Sequence, residues 1–118
     1  IYGDGKQMRD YVYAGDVARA NLIALLSGDD EIINIGTSVA TDVNKLYSII
    51  ASLESSYSKK AVYRPPRAGE LLRSVLDIKK AARTLNWQPS VTLEDGLKIT
   101  MEFFRKKILH NNAKGAAL

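Results

Sequence analysis

The chain has 118 residues, 46% of them apolar and 25% charged, with a formal net charge of +4. This is the composition of one small globular domain, large enough for a modest core. Cysteine is absent and His110 is the only histidine, which excludes disulfides, thiolate metal sites and multi-histidine centres. No apolar run is long enough to span a bilayer. The basic residues cluster at Lys59-Lys60, Arg64-Arg67, Lys79-Lys80-Arg83 and Arg105-Lys106-Lys107. Without an accompanying nucleic-acid motif they read as solvated helix faces, so neither nucleic acid nor membrane is expected as a partner. The expected location is cytoplasmic.

In chain order, Gly3, Asp4 and Gly5 predict a turn. Arg9 and Asp10 lead into Tyr11-Val12-Tyr13, whose aromatic and β-branched residues suit a strand. Asp16 then stands where a helix N-cap belongs, and the first helix is expected over 16–26 until Ser27-Gly28-Asp29-Asp30 stops it. Its small-residue face is Val17, Ala20 and Ala24. A strand is expected over 31–35, ending at Gly36. Thr41 is expected to cap a second helix, with Val43, Leu46, Tyr47, Ile50 and Leu53 as its apolar stripe. Ala61-Val62-Tyr63 reads as a strand that Pro65 and Pro66 end, and a further strand is expected over 71–76. Asp77 is expected to cap a third helix burying Ile78, Ala81, Ala82 and Leu85, and Trp87 should plug the core. Thr92-Leu93-Glu94-Asp95 reads as the cap of the last helix. Leu97, Met101, Phe104 and Ile108 should line its buried side, and Arg105, Lys106 and Lys107 should suit its negative end. Residues 1–110 are expected to form the structured part and 111–118 a disordered tail.

Several candidates for chemistry fail on inspection. Gly3-Asp-Gly5-Lys-Gln-Met8 nearly spells a dinucleotide fingerprint, but lacks the third glycine, a strand before it and a helix after it. Tyr2 and Lys6 have the spacing of a Tyr-x-x-x-Lys dyad, which needs a helix that Gly3 and Gly5 oppose. The carboxylate pairs Asp29-Asp30 and Glu94-Asp95 sit at helix ends, where a structural role explains them. Two arginines remain. Arg9 borders a strand, and Arg67 follows two prolines beside Ala68-Gly69-Glu70. A planar guanidinium binds phosphate oxygens through paired hydrogen bonds, so Arg9 and Arg67 together could clamp a diphosphate, while Glu70 could accept from sugar hydroxyls. The competing reading is internal pairing, of Arg9 with Asp10 or Asp16 and of Arg67 with Glu70.

Five stretches, Tyr2-Gly-Asp-Gly-Lys-Gln-Met-Arg9-Asp-Tyr-Val, Asp16-Val-Ala, Asn34-Ile-Gly36-Thr, Pro66-Arg-Ala-Gly-Glu70 and Leu85-Asn-Trp87-Gln-Pro89, resemble in that order the C-terminal part of extended short-chain dehydrogenases/reductases. The likeness is strongest to the UDP-glucose 4-epimerase group and covers the chain from Ile1 to about Phe104. The resemblance implies an α/β fold, the C-terminal substrate-binding portion of an extended Rossmann-type enzyme, with about four helices and four short strands. It implies that Arg9 and Arg67 contact the diphosphate of a UDP-sugar and that Glu70 contacts the ribose. The family's NAD fingerprint, its Tyr-x-x-x-Lys pair and its Ser/Thr partner belong to an upstream part with no counterpart here. Together with the start at Ile1, inside a motif, this leads to the expectation of a fragment that holds no catalytic residue and binds no NAD itself. Ala14-Gly15 and Ser38 depart from the family's usual residues. In such epimerases a hydride passes from sugar C4 to NAD and returns to the other face of a 4-keto intermediate, so the nucleotide must be anchored firmly while the sugar turns. A related nucleotide-sugar dehydratase, a UDP-glucuronate decarboxylase, or a stand-alone basic binding module are the other readings. A homodimer, or self-association through 16–26 and 31–35, is expected.

Overall fold

A computed structural model describes residues 1–27, 30–54 and 56–115, with side chains through Ile108. The fold is mixed α/β. Its elements are β1 (Met8–Arg9), α1 (Ala14–Ser27), β2 (Thr41–Asp42), α2 (Val43–Ser52), β3 (Arg73–Ser74), α3 (Lys79–Leu85) and α4 (Leu93–Gly115). Strand β1 is central. It pairs antiparallel with β2, Met8 opposite Asp42 and Arg9 opposite Thr41. It pairs parallel with β3, Met8 opposite Arg73 and Arg9 opposite Ser74.

The strand expected at Tyr11-Val12-Tyr13 falls earlier, at Met8 and Arg9. The Tyr13 carbonyl already accepts from the Asp16 and Val17 amides at 3.0 and 3.2 Å, so those residues are committed to opening α1. Asp16 therefore lies inside the first turn and is not its N-cap. Residues 31–35 form no ladder among the described residues. Side chains hold them instead: Lys80 pairs with Glu31 and donates to the Ile32 carbonyl at 2.9 Å. Ile33 and Ile35 pack on the core while Ile32 is 92% exposed. High β-propensity describes a side chain's fit to a pleated surface and supplies no neighbouring strand. Residues 61–63 likewise form no strand. Next to them a single parallel bridge joins Tyr2 to Arg64, with the Arg64 amide donating to the Ile1 carbonyl at 2.7 Å and the Gly3 amide to the Arg64 carbonyl at 2.9 Å.

The cap of α2 is Asp42, whose carboxylate accepts from the Lys45 amide at 2.7 Å. Thr41, one residue further out, is buried and does not cap. Ile78 occupies the cap position of α3 without a side-chain bond, and Asp77 accepts from the Lys79 amide at 2.9 Å. Thr92 does cap α4: its hydroxyl accepts from the Asp95 amide at 3.2 Å and donates to the Asp95 carboxylate at 2.7 Å. That helix runs through Gly115, so Arg105, Lys106 and Lys107 lie within it and not at its end. Arg105 instead ties α4 to Glu54, just beyond α2, at 2.6 Å. Along its expected buried side, Leu97 and Met101 are half-buried, whereas Phe104 and Ile108 are exposed. The expected helix stop at Gly28-Asp29 and the end of the expected tail, 116–118, lie outside the described residues.

Ala20, Ala81 and Trp87 form the fully buried core, with Ile23, Ile33, Ile35 and Leu85 packed around it. Small residues at Ala20 and Ala81 let α1 and α3 approach, and the indole fills the space beside them. Its Nε1 donates to the Asp16 carbonyl at 3.1 Å, which removes the cost of burying a polar N–H.

Candidate functional site

The site is built where the chain's first turn meets residues 63–72. Gly5 has φ of +73°, and a Cβ there would sit 2.2 Å from the Asn44 Oδ1, so only glycine allows the turn to lie on α2. Asn44 closes that contact by donating to the Asp4 carbonyl at 2.8 Å. Opposite, Pro65 and Pro66 stiffen the approach to Arg67. Gly69 turns the chain with φ of +74°, and the Glu70 amide donates to the Arg67 carbonyl at 3.3 Å. The result is an open cleft of about 690 Å³ lined by Tyr2, Gln7, Tyr63, Arg64, Arg67 and Glu70, among others.

Of the residues singled out from sequence, Arg67 and Glu70 line this cleft, and Arg9 reaches it only through Glu70. The Arg9 guanidinium lies 3.6 Å from the Glu70 carboxylate and donates to the Met8 and Leu71 carbonyls, each at 2.8 Å. Both side chains keep a quarter to a third of their surface in water, so the pair is worth about 1 kcal/mol or less. Internal pairing therefore exists, but it is crossed relative to the sequence expectation, joining Arg9 to Glu70. The Arg67 guanidinium carbon lies 4.0 Å from the centroid of the Tyr2 ring. Arg64, grouped only with the basic clusters by sequence, faces the same cleft.

Asp10 and Asp16, the carboxylates considered as partners for Arg9, are spent elsewhere. Asp10 accepts from the Thr37 amide and hydroxyl at 2.8 and 2.5 Å, from the Ser38 amide at 2.9 Å and from the Leu76 amide at 3.3 Å. It thereby fixes 36–38 against the residues that follow β3. A Cβ at Gly36 would lie 2.7 Å from its Oδ2, so the glycine of Asn34-Ile-Gly36-Thr is the space that Asp10 occupies. Asp16 is buried. It accepts from the Ser90 hydroxyl at 2.6 Å, the Ser90 and Val91 amides at 3.0 Å, and Arg19 at 2.9 Å. Burial pushes its carboxyl up, but the hydrogen bonds from Ser90, Arg19 and Val91 outweigh it and bring the pKa down to about 2. Sequence reasoning missed both hubs; the adjacency of Arg9 and Asp10 and the isolated glycine at 36 were the available signals.

The Gly3–Gly5 turn is not built as a dinucleotide cradle. It feeds β1, and the first helix begins only at Ala14, so no helix N-terminus faces those glycines. Tyr2 and Lys6 do not share a helix face; Lys6 pairs with Asp4 at 3.6 Å. Among the described residues, no group of three or more His, Cys, Asp or Glu side chains could hold a metal ion. No helix there is long and apolar enough to cross a membrane.

The chain thus combines a mixed α/β fold with an arginine-lined cleft. The sequence profile of the GDP-mannose 4,6 dehydratase family matches residues 1–100, and the chain belongs to that family. It is 41% identical over 108 residues to UDP-glucose 4-epimerase of Mycolicibacterium smegmatis, covering 91% of this chain and 34% of that protein. The crystal structure of Thermotoga maritima UDP-glucose 4-epimerase with UDP-glucose superposes with a TM-score of 0.86 at 50% identity, over 92% of this chain and 35% of that one. A UDP-glucuronic acid 4-epimerase variant of Bacillus cereus, in complex with UDP-4-deoxy-4-fluoro-glucuronic acid and NAD, superposes with a TM-score of 0.80 at 30% identity, over 90% and 34% of the two chains. The chain thus spans about a third of the length of the relatives it matches. These neighbours are Rossmann-type epimerases, in keeping with the α/β class read from sequence.

Proposed function

We propose that this chain is the nucleotide-sugar-binding part of an NAD-dependent UDP-glucose 4-epimerase, with Arg67 directed at the diphosphate, Glu70 at the ribose, and Arg9 supporting the site through Glu70. The observation that carries this reading is the cleft itself. It places Arg67, Arg64 and Glu70 around one opening, on a backbone held by two prolines and Gly69. The pairing of Arg9 with Glu70 supports a linked role, because a guanidinium leaning on that carboxylate limits the positions it can take. Anchoring the nucleotide away from the reacting carbon directs binding energy where it leaves the sugar free to turn. The Gly3–Gly5 turn offers no dinucleotide cradle, so we place the cofactor and the proton-handling residues elsewhere in the parent enzyme and assign no catalytic step to this cleft. The family's own name favours one other reading, a nucleotide-sugar 4,6-dehydratase. It would use the same diphosphate anchor with different chemistry at the sugar.

Titration calorimetry with UDP tests this. Arg67→Ala should weaken UDP binding by about 2–4 kcal/mol, the range for removing one partner of a charge-assisted contact. NAD should give no heat of binding. Equal UDP affinity with and without Arg67, or micromolar NAD binding, would overturn the assignment.

A further inference from the structure

We propose that Tyr2 is a positioning residue, whose ring face carries the Arg67 guanidinium and holds it aimed into the cleft for the anionic part of a ligand. The proposal rests on Arg67 being the anion contact. The two side chains come from distant parts of the chain, yet their backbones are fixed to each other. Tyr2 bridges Arg64, and the Ile1 carbonyl and Gly3 amide hydrogen-bond Arg64 on either side. The Gln7 side chain, itself 9% exposed, donates to the Tyr2 carbonyl at 3.0 Å. Pro66 lies against Gly3, 3.7 Å from where a Cβ would be, and Arg67 is the next residue. The ring is thus set by the same backbone contacts that set the arginine.

The stacking geometry answers a specific need. An exposed arginine samples many rotamers, and ordering it on binding weakens the complex. Glu70, the carboxylate three residues on, is engaged by Arg9. Tyr2 is 44% exposed, and the guanidinium carbon sits 4.0 Å from its ring centroid, well inside the distance at which the ring quadrupole attracts a cation. A ring orders the guanidinium without using its N–H donors, so they stay free for phosphate oxygens, which pairing with a carboxylate would not allow.

Two measurements on the 118-residue chain test this. In the ligand-free protein, NMR should find the Arg67 side-chain protons shifted upfield by the ring. The shift should persist in Tyr2→Phe and vanish in Tyr2→Leu. In UDP titrations, Tyr2→Leu should weaken binding about two- to fivefold, the equivalent of an exposed cation–π contact, and Tyr2→Phe should bind like the native chain. In an Arg67→Ala background, Tyr2→Leu should have no further effect. An unshifted Arg67, or equal losses from Tyr2→Leu with and without Arg67, would overturn the positioning role alone. Absence of UDP binding, or full affinity in Arg67→Ala, would overturn the clamp and this role with it.

Discussion

At the scale of single residues, the two aspartates read from sequence as local features are long-range anchors. Asp16 collects its donors from Arg19 and from Ser90 and Val91, more than seventy positions on. Spacing cannot reveal this, because the contact arises only when α1 and the segment before α4 are both in place. The turn that carries Arg67 and Glu70 was legible for the opposite reason. Prolines and a glycine beside charged residues announce a fixed turn in the sequence itself. The Asp16 network carries a pH signature. A folded pKa near 2 against an ordinary 3.8 stabilises the chain by about 2 kcal/mol when fully expressed. Because the folded value is depressed, that stability is complete above the unfolded pKa and is lost as pH falls from about 4 towards 2. Asp16→Asn places an amide against donors and should cost about 2–4 kcal/mol at neutral pH. Urea midpoints at several pH values check both points: the native chain should lose stability below pH 4, and the variant should lose much less over that interval.

At the scale of elements, the helices were readable and, apart from β3 inside the expected 71–76, the strands were not. An amphipathic stripe and a cap are local, so all four helices fall close to their expected places. The strands here are two residues long and consist of their pairing, which depends on β1 lying between β2 and β3. The runs 31–35 and 61–63 have the composition of strands without a ladder among the described residues. The cap at Thr92 was also legible, whereas α2 begins at Val43, so Asp42 and not the buried Thr41 stands at its cap position. Thr92→Ala should therefore destabilise the chain by about 1 kcal/mol, the usual cost of a lost N-cap. Thr92→Ser, which restores the hydroxyl, should recover most of it. Thermal unfolding followed by far-UV circular dichroism separates the two. Equal losses in both variants would mean that the Thr92 methyl group, and not the cap, matters.

At the scale of the whole molecule, the chain exposes more surface than a closed domain of its mass. Its accessible area is 8960 Å², whereas a compact monomer of this mass exposes about 6,300 Å². Its radius of gyration is 17.8 Å, against about 13–14 Å for a compact domain of this length. Part of the excess is apolar and regularly placed. Leu22, Leu25 and Leu26 project from α1 at helical spacing and are 63%, 80% and 89% exposed, and Ile32 is 92% exposed. Of the small-residue face expected from sequence to lie open, Ala20 is covered by Ala81 and Trp87 and Val17 is half-buried, whereas Ala24 is exposed. The open surface is therefore Ala24 with the leucine face of the same helix, and the expected route through strand pairing at 31–35 gives way to apolar burial. A leucine stripe left in water gains free energy by meeting another, at about 25 cal/mol per Å² removed from solvent. The chain on its own should therefore self-associate through α1. Light scattering over a concentration series should give a mass that rises above 13.0 kDa, and Leu25→Glu with Leu26→Glu should return it to the monomer while leaving UDP binding intact, because neither leucine lines the cleft. A native chain that stays monomeric at millimolar concentration would mean that α1 needs no cover.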